Sequence, residues 1–435
     1  MSSLLGRKAD DVLDTLGCWG WMTNLNLSGG FASGMSTKGI KISILAFEVA
    51  KAMVKGANLM HSLSNENIRH LKEVVLPSKG VQNLISRDIN ELLRIAALDK
   101  WDELEVFSGE VARFGNRSED SQWHNLDRYF AILGSELTPQ KQLKEEAETL
   151  IQQFMVLVEY TGELYNEMQV LDRLEQDCWR KEQEEDDPNA PPRGDSLAIL
   201  REELKRQKKH VKHLKKKSLW FKILEEVMEK LVVIVHSLHM EIHSAFGSSD
   251  GDKPAENDHP KLGSAGLALH YANIITQIDT LVTESNSVPP STRDALYQGL
   301  PQCIKSALRT RLQSLNHKEQ VPIPQIKAEM EKTLQWLVPM ATNTTMDHHG
   351  YGWVGDWANT GSIINRKPAG QTDLLRIETL HHADKEKTEA YILDLVVLLH
   401  QLISQSRTAS DGLVRSPVKS PISSPTIQLS SSVKM

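Results

Sequence analysis

Cysteine is nearly absent from this chain. Three occur in 435 residues, Cys18, Cys178 and Cys303, far apart and with no C-x-x-C pair. An odd, scattered set excludes a disulfide-stapled secreted scaffold and points to a reducing compartment. Long apolar runs are missing as well. The longest, LVVIV at 231–235 and LVVLL at 395–399, fall far below the roughly 20 residues that a membrane-spanning helix needs. No stretch sustains the apolar–polar alternation of a half-buried strand, so an all-α fold is expected. Lys and Arg number 50 against 57 Asp and Glu, a formal net charge of −7. An acidic balance excludes a general nucleic-acid condenser, and any basic function must be local. The opening, MSSLLGRKADDVLDTL, has no unbroken apolar core of the signal-peptide kind. It has no Met-Gly either, so N-myristoylation, and with it membrane association, is not expected of the chain as written.

What is present is helical periodicity, segment after segment. Residues 1–39 end in LNLSGGFASGMSTKG and read as a disordered lead-in. An N-terminal helical domain is expected over 40–135. In it Ile42, Leu45, Val49, Ala52, Met53 and Met60 share one helical face, and Ser64 stands where a helix cap belongs. A coiled-coil-like hairpin is expected over 136–246. Thr138-Pro139 opens its first arm. Leu143, Ala147, Leu150, Phe154, Leu157, Thr161, Leu164, Met168 and Leu171 step along it by fours and threes. QEEDDPNAPPRGD interrupts with three prolines. A second seam returns through Leu197, Leu200, Leu204, Gln207, Val211, Leu214, Ser218 and Phe221 to Met228. Residues 247–260 read as a linker, 261–406 as a C-terminal helical domain with Ser291 or Thr292 capping its second helix, and 407–435 as a disordered Ser-Pro tail.

Few residues carry recognisable chemistry. His236, His239 and His243 recur at i, i+3 and i+7, without the Glu of an H-E-x-x-H zinc site. LGSAGLAL at 262–269 lacks the Lys-Ser/Thr of a P-loop and follows a linker rather than a strand, so close helix packing explains it better. No nucleophile elbow or kinase signature occurs. The expectation is a protein without cofactor, metal or catalytic residues. Its rival is a metal- or ligand-binding enzyme using the pairs His348-His349 and His381-His382, and a third reading is a peripheral membrane adaptor.

Three features suit recognition instead. The run KRQKKHVKHLKKK at 205–217 holds eight Lys or Arg in thirteen residues. Its charges avoid the seam positions Gln207, Val211 and Leu214. Part of them should pair across the hairpin with Glu163, Glu167 and Asp172, and Lys205, Lys209, Lys212 and Lys216 should face water. Lys208, Lys209, Lys212, Lys215, Lys216 and Lys217 are thus candidates for nuclear import or docking. The base-reading Asn of a basic zipper is missing, and nucleic acid is not an expected partner. The loop HHGYGWVGDWANTG at 348–361 presents Tyr351, Trp353 and Trp357, either plugged into the core or anchoring a partner. Ser416, Ser420 and Ser424, each before Pro, are phosphorylation candidates in a basic tail. Protein partners are expected, with self-association through the heptad hairpin among them.

Longer motifs carry a resemblance. KISILAFEVAKAMVKGANLMHSLSNENIRHLKEVVLPSKGVQNLISRDINELLRIAA resembles the N-terminal domain of unknown function of the plant PSK SIMULATOR family. KLGSAGLALHYANIITQIDTLV, TRDALYQGLP, IKAEMEKTLQWLVP, GWVGDWA and LHHADKEKTEAYILDLVV are similar to that family's second domain, domain of unknown function 668. The match extends from Leu4 and includes VLDTLG and MTNLNLSGGF. The resemblance implies a plant regulator of growth connected with phytosulfokine peptide-hormone signalling, nuclear and without catalytic residues. The alternative locations are the cytoplasm and the cytoplasmic face of the plasma membrane. By the same resemblance, relatives carry further sequence at both ends: a start of Met-Gly-Gly and a basic, Ser-rich tail.

Overall fold

A computed structural model of the chain describes residues 41–133, 141–185, 194–247, 260–263, 266–283, 290–315, 321–350 and 375–414. Thirteen α-helices lie among the described residues, and pairing of the β type is limited there to two isolated bridges, Lys41 with Ile223 and Lys261 with Asp384. The helices are α1 (Ala46–Ser62), α2 (Asn65–His70), α3 (Lys79–Leu84), α4 (Ile89–Gly115), α5 (Leu126–Leu133), α6 (Lys141–Glu185) and α7 (Gly194–Lys217). They continue as α8 (Leu224–Phe246), α9 (Leu267–Thr283), α10 (Pro290–Gly299), α11 (Gln302–Leu315), α12 (Ile323–Gly350) and α13 (Lys385–Val414). None of the described helices is long and apolar enough to cross a membrane.

Local chemistry sets the ends of these helices. Ser64 accepts from the Asn67 N–H to start α2, and Asp88 accepts from the Asn90 N–H to start α4. Each side chain satisfies a donor that the helix itself cannot. Between α2 and α3 the chain widens into a π turn, Leu71–Val75, before Pro77. The 45-residue α6 draws most of its stability from packing its amphipathic face, as helices in folded proteins do.

Three apolar cores result. The first joins α1, the C-terminal half of α4, the first half of α6 and α8 around Met53, Phe107, Phe114, Phe154 and Met228. The second joins α9 to α13 around Tyr271, Ile275, Met330, Leu337 and Val396, and it also takes in Leu84 of α3. The third is small: Leu71, Val75, Leu76, Val81, Leu92, Ile95 and Ala96 close over Ile377. These cores cut across the segments drawn from composition. The first is shared between the N-terminal helices and the base of the hairpin, and the second and third join residues between 71 and 96 to residues after 260.

Several local expectations need correction. The second heptad seam does not run on to Met228. α7 ends at Lys217, and Ser218 caps a 3-10 turn, Leu219–Phe221, by accepting from the Trp220 N–H. The reason lies on the opposite arm. The fully buried Thr161 hydroxyl donates to the Leu157 carbonyl and accepts from the Leu219 N–H, pinning the turn. Phe221, placed inward by the heptad count, is 42% exposed. Ser291 and Thr292 do not cap α10, which already includes Pro290; proline suits a first helical position because it has no N–H to leave unpaired. α12 extends through His348 and His349 to Gly350, so the first three residues of the expected loop are helical.

Candidate interaction surface

The hairpin is antiparallel, and polar side chains register its two arms. Arg201 lies 2.9 Å from Glu182, Lys208 lies 2.9 Å from Glu175, and His210 lies 3.7 Å from Glu163. Gln207 donates to both the carbonyl and the carboxylate of Glu167. Asp172, expected to pair across the hairpin, instead accepts from Gln176 on its own helix. Between these polar edges runs a thin apolar row: Leu164, Met168, Cys178, Leu197, Val211 and Leu214, all buried. None of them belongs to the three cores.

The six candidate lysines divide into two groups. Lys208 is held by Glu175. Lys215 sits 4.3 Å above the Trp220 ring, and burial pushes its ammonium below the usual lysine range. Lys217 lies 5.1 Å over the Tyr160 ring. These three partly spend their charge at the base and flank of the hairpin. Lys209, Lys212 and Lys216 are exposed, and no described residue forms an ion pair with them. The free cationic stripe is therefore narrower than the run of thirteen suggests. Tyr351, Trp353, Trp357, Ser416, Ser420 and Ser424 lie outside the described residues.

A second polar site joins distant parts of the chain. Asp99, on the inward face of α4, is 4% exposed. The Nε2 of His382 lies 2.9 Å from both of its oxygens, and Arg376 Nη1 lies 3.3 Å from one of them. His381 stacks edge-on against His382, and burial, aided by His382 and Arg376, pushes its pKa down to about 4. Neutral imidazole is thus the form that fits. Around this knot the Asp384 N–H donates to the Leu84 carbonyl, and the Asp384 carboxylate caps α13 through the Lys387 N–H. A cleft of about 730 Å³ opens beside it, lined by Arg87, Glu91, Lys261, His382, Lys387 and Tyr391 among others. Sequence reasoning missed Asp99, although a signal exists: it follows Leu92, Ile95 and Ala96 at inward helical spacing, an acid on an apolar stripe.

The histidines bring no described metal cluster together. Among the described residues no three His, Cys, Asp or Glu side chains converge as ligands. His236 and His239 are shifted down by burial, and His239 packs edge-on against Trp101.

Fold and surfaces together define a class: an all-α protein with a charged antiparallel helical hairpin. Residues 44–100 match the model described as "Domain of unknown function (DUF3475)", and residues 261–346 match "Protein of unknown function (DUF668)". Protein PSK SIMULATOR 1 of Arabidopsis thaliana is 68% identical over 446 residues, covering 99% of this chain and 67% of that protein. Protein PSK SIMULATOR 3 of the same plant is 57% identical, covering 98% and 67%, and Protein PSK SIMULATOR 2 is 48% identical, covering 95% and 69%. The chain belongs to the PSK SIMULATOR family. No solved structure matches it.

Proposed function

We propose that this chain is a non-enzymatic interaction protein that promotes plant growth within phytosulfokine signalling and works in the nucleus. The names of its relatives support the pathway. The observation that carries the interaction reading is the hairpin: its seam is filled within the chain, while Lys209, Lys212 and Lys216 remain as an unspent cationic stripe. A stripe of that kind suits an import receptor or an acidic protein partner.

The test is a fluorescent fusion of the full chain in plant cells. Lys209→Ala, Lys212→Ala and Lys216→Ala combined should lower nuclear accumulation and weaken the growth response to added phytosulfokine. An unchanged distribution would overturn the import role of the stripe. A normal hormone response in plants lacking the protein and its relatives would overturn the pathway.

A further inference from the structure

We infer that the hairpin pairs with the hairpin of a second copy of this chain, each copy seating Trp179 in a cation-rimmed groove of the other. Trp179 is 64% exposed, the largest side chain so placed in the described structure. An indole left in water forgoes the burial that its size favours, and exposed Trp and Tyr are common anchors of interfaces. Its place on the hairpin is well defined. Glu175 and Glu182, four residues before it and three after, share its helical face and reach across to Lys208 and Arg201. Trp179 therefore stands on the same side of the hairpin as those two ion pairs, and between them.

On that same side α7 carries a shallow groove of about 340 Å³, lined by Arg201, Leu204, Lys205, Lys208, Lys209 and Lys212. Leu204 lies between Arg201 and Lys208 in helical spacing, so it occupies the level of Trp179 on the facing arm. An apolar floor with lysine and arginine rims fits the flat face of an indole, which attracts cations.

The two features are self-complementary only in one arrangement. A two-fold axis parallel to the hairpin sets each α6 against the second copy's α7 and keeps every level unchanged. Trp179 then meets the groove at Leu204, and the groove meets Trp179. The arms are also opposite in charge. α6 holds twelve Asp or Glu against five Lys or Arg, whereas α7 holds nine Lys or Arg against three Asp or Glu. Pairing α6 with α7 alternates the sign of charge around the resulting four helices; pairing like arms would oppose equal charges. The seam described above is not the interface, since its residues are already buried within one chain.

Sedimentation velocity of the full chain, at about 50 mM and about 500 mM salt, tests the pairing. A dimer that dissociates on adding salt is expected. Trp179→Ala should weaken association about tenfold or more, as should the double change Lys209→Glu and Lys212→Glu. Both variants alter exposed positions, so the helical circular-dichroism spectrum should not change. A photo-crosslinker at position 179 in a mixture of isotopically light and heavy chains should join to residues 201–212 of the other copy. A chain that stays monomeric at tens of micromolar in low salt overturns the proposal. So does a dimer indifferent to Trp179→Ala, or crosslinks that fall outside α7. Trp179→Ala leaves the cationic stripe intact, so loss of pairing and loss of nuclear import are separable.

Discussion

The hairpin and the Asp99 knot both join distant segments by opposite charges, and they use them in opposite ways. On the hairpin, Lys208–Glu175 and Arg201–Glu182 lie at the surface, where each pair is worth about 0.2–1 kcal/mol because water screens it. Such pairs set register without binding the arms tightly, and the lysines beside them stay available. At the knot, Asp99 is withdrawn from water and has two cationic or donor partners, His382 and Arg376. Burial there makes the contact demanding, since a lost partner leaves a charge with no solvent to replace it. Charge at the surface of this protein stays solvated; charge in its interior fixes which segments touch.

The sharpest way to break that contrast is Asp99→Ala. It should cost about 3 kcal/mol, in the range for removing one member of a buried pair, as read by chemical denaturation. Amide exchange should rise first in residues 375–384. A loss no greater than that of a surface pair would erase the distinction. Gly80→Ala probes the same junction by volume rather than charge. A Cβ there would lie 2.5 Å from Met340 Sδ and 3.2 Å from the Trp336 carbonyl oxygen, forcing α3 away from α12. About 1–2 kcal/mol of destabilisation is expected from such overpacking.

Acid should act on the knot. His381 has a pKa of about 4 in the fold against 6.5 for an ordinary histidine. Between those values the unfolded chain binds a proton that the folded chain does not, so stability falls as pH drops from about 6.5 to about 4. Below the lower value this contribution is already lost. His381→Gln should flatten that limb of the pH–stability profile, and an unchanged slope would remove His381 from the account. The smallest effect belongs to the hairpin: a Lys208/Glu175 double-mutant cycle should give a coupling under about 1 kcal/mol, shrinking with salt.

Much of this was legible in the residues. Ile42, Leu45, Val49, Ala52, Met53 and Met60 all turn inward as their spacing requires, and Ser64 caps the helix it precedes. The two arms of the hairpin meet as the heptads foretell over Leu164, Met168, Val211 and Leu214. The end of the second seam was not legible, because Thr161 acts from the other arm and only folding places its hydroxyl against Leu219. Within the basic run, composition could not separate Lys209 and Lys212 from Lys215 and Lys217, whose aromatic partners lie outside it.

The sequence by itself determined the helices and the pairing of neighbouring arms. These depend on contacts a few residues apart, or on two seams joined by a short break, so periodicity and side-chain chemistry record them directly. The tertiary structure alone decided that Leu84 joins the core of α9 to α13, that Asp99 meets His382 across 283 residues, and that Trp179 shares a level with Leu204. Contacts of that kind depend on how whole helices are placed, and no local pattern of residues encodes the placement.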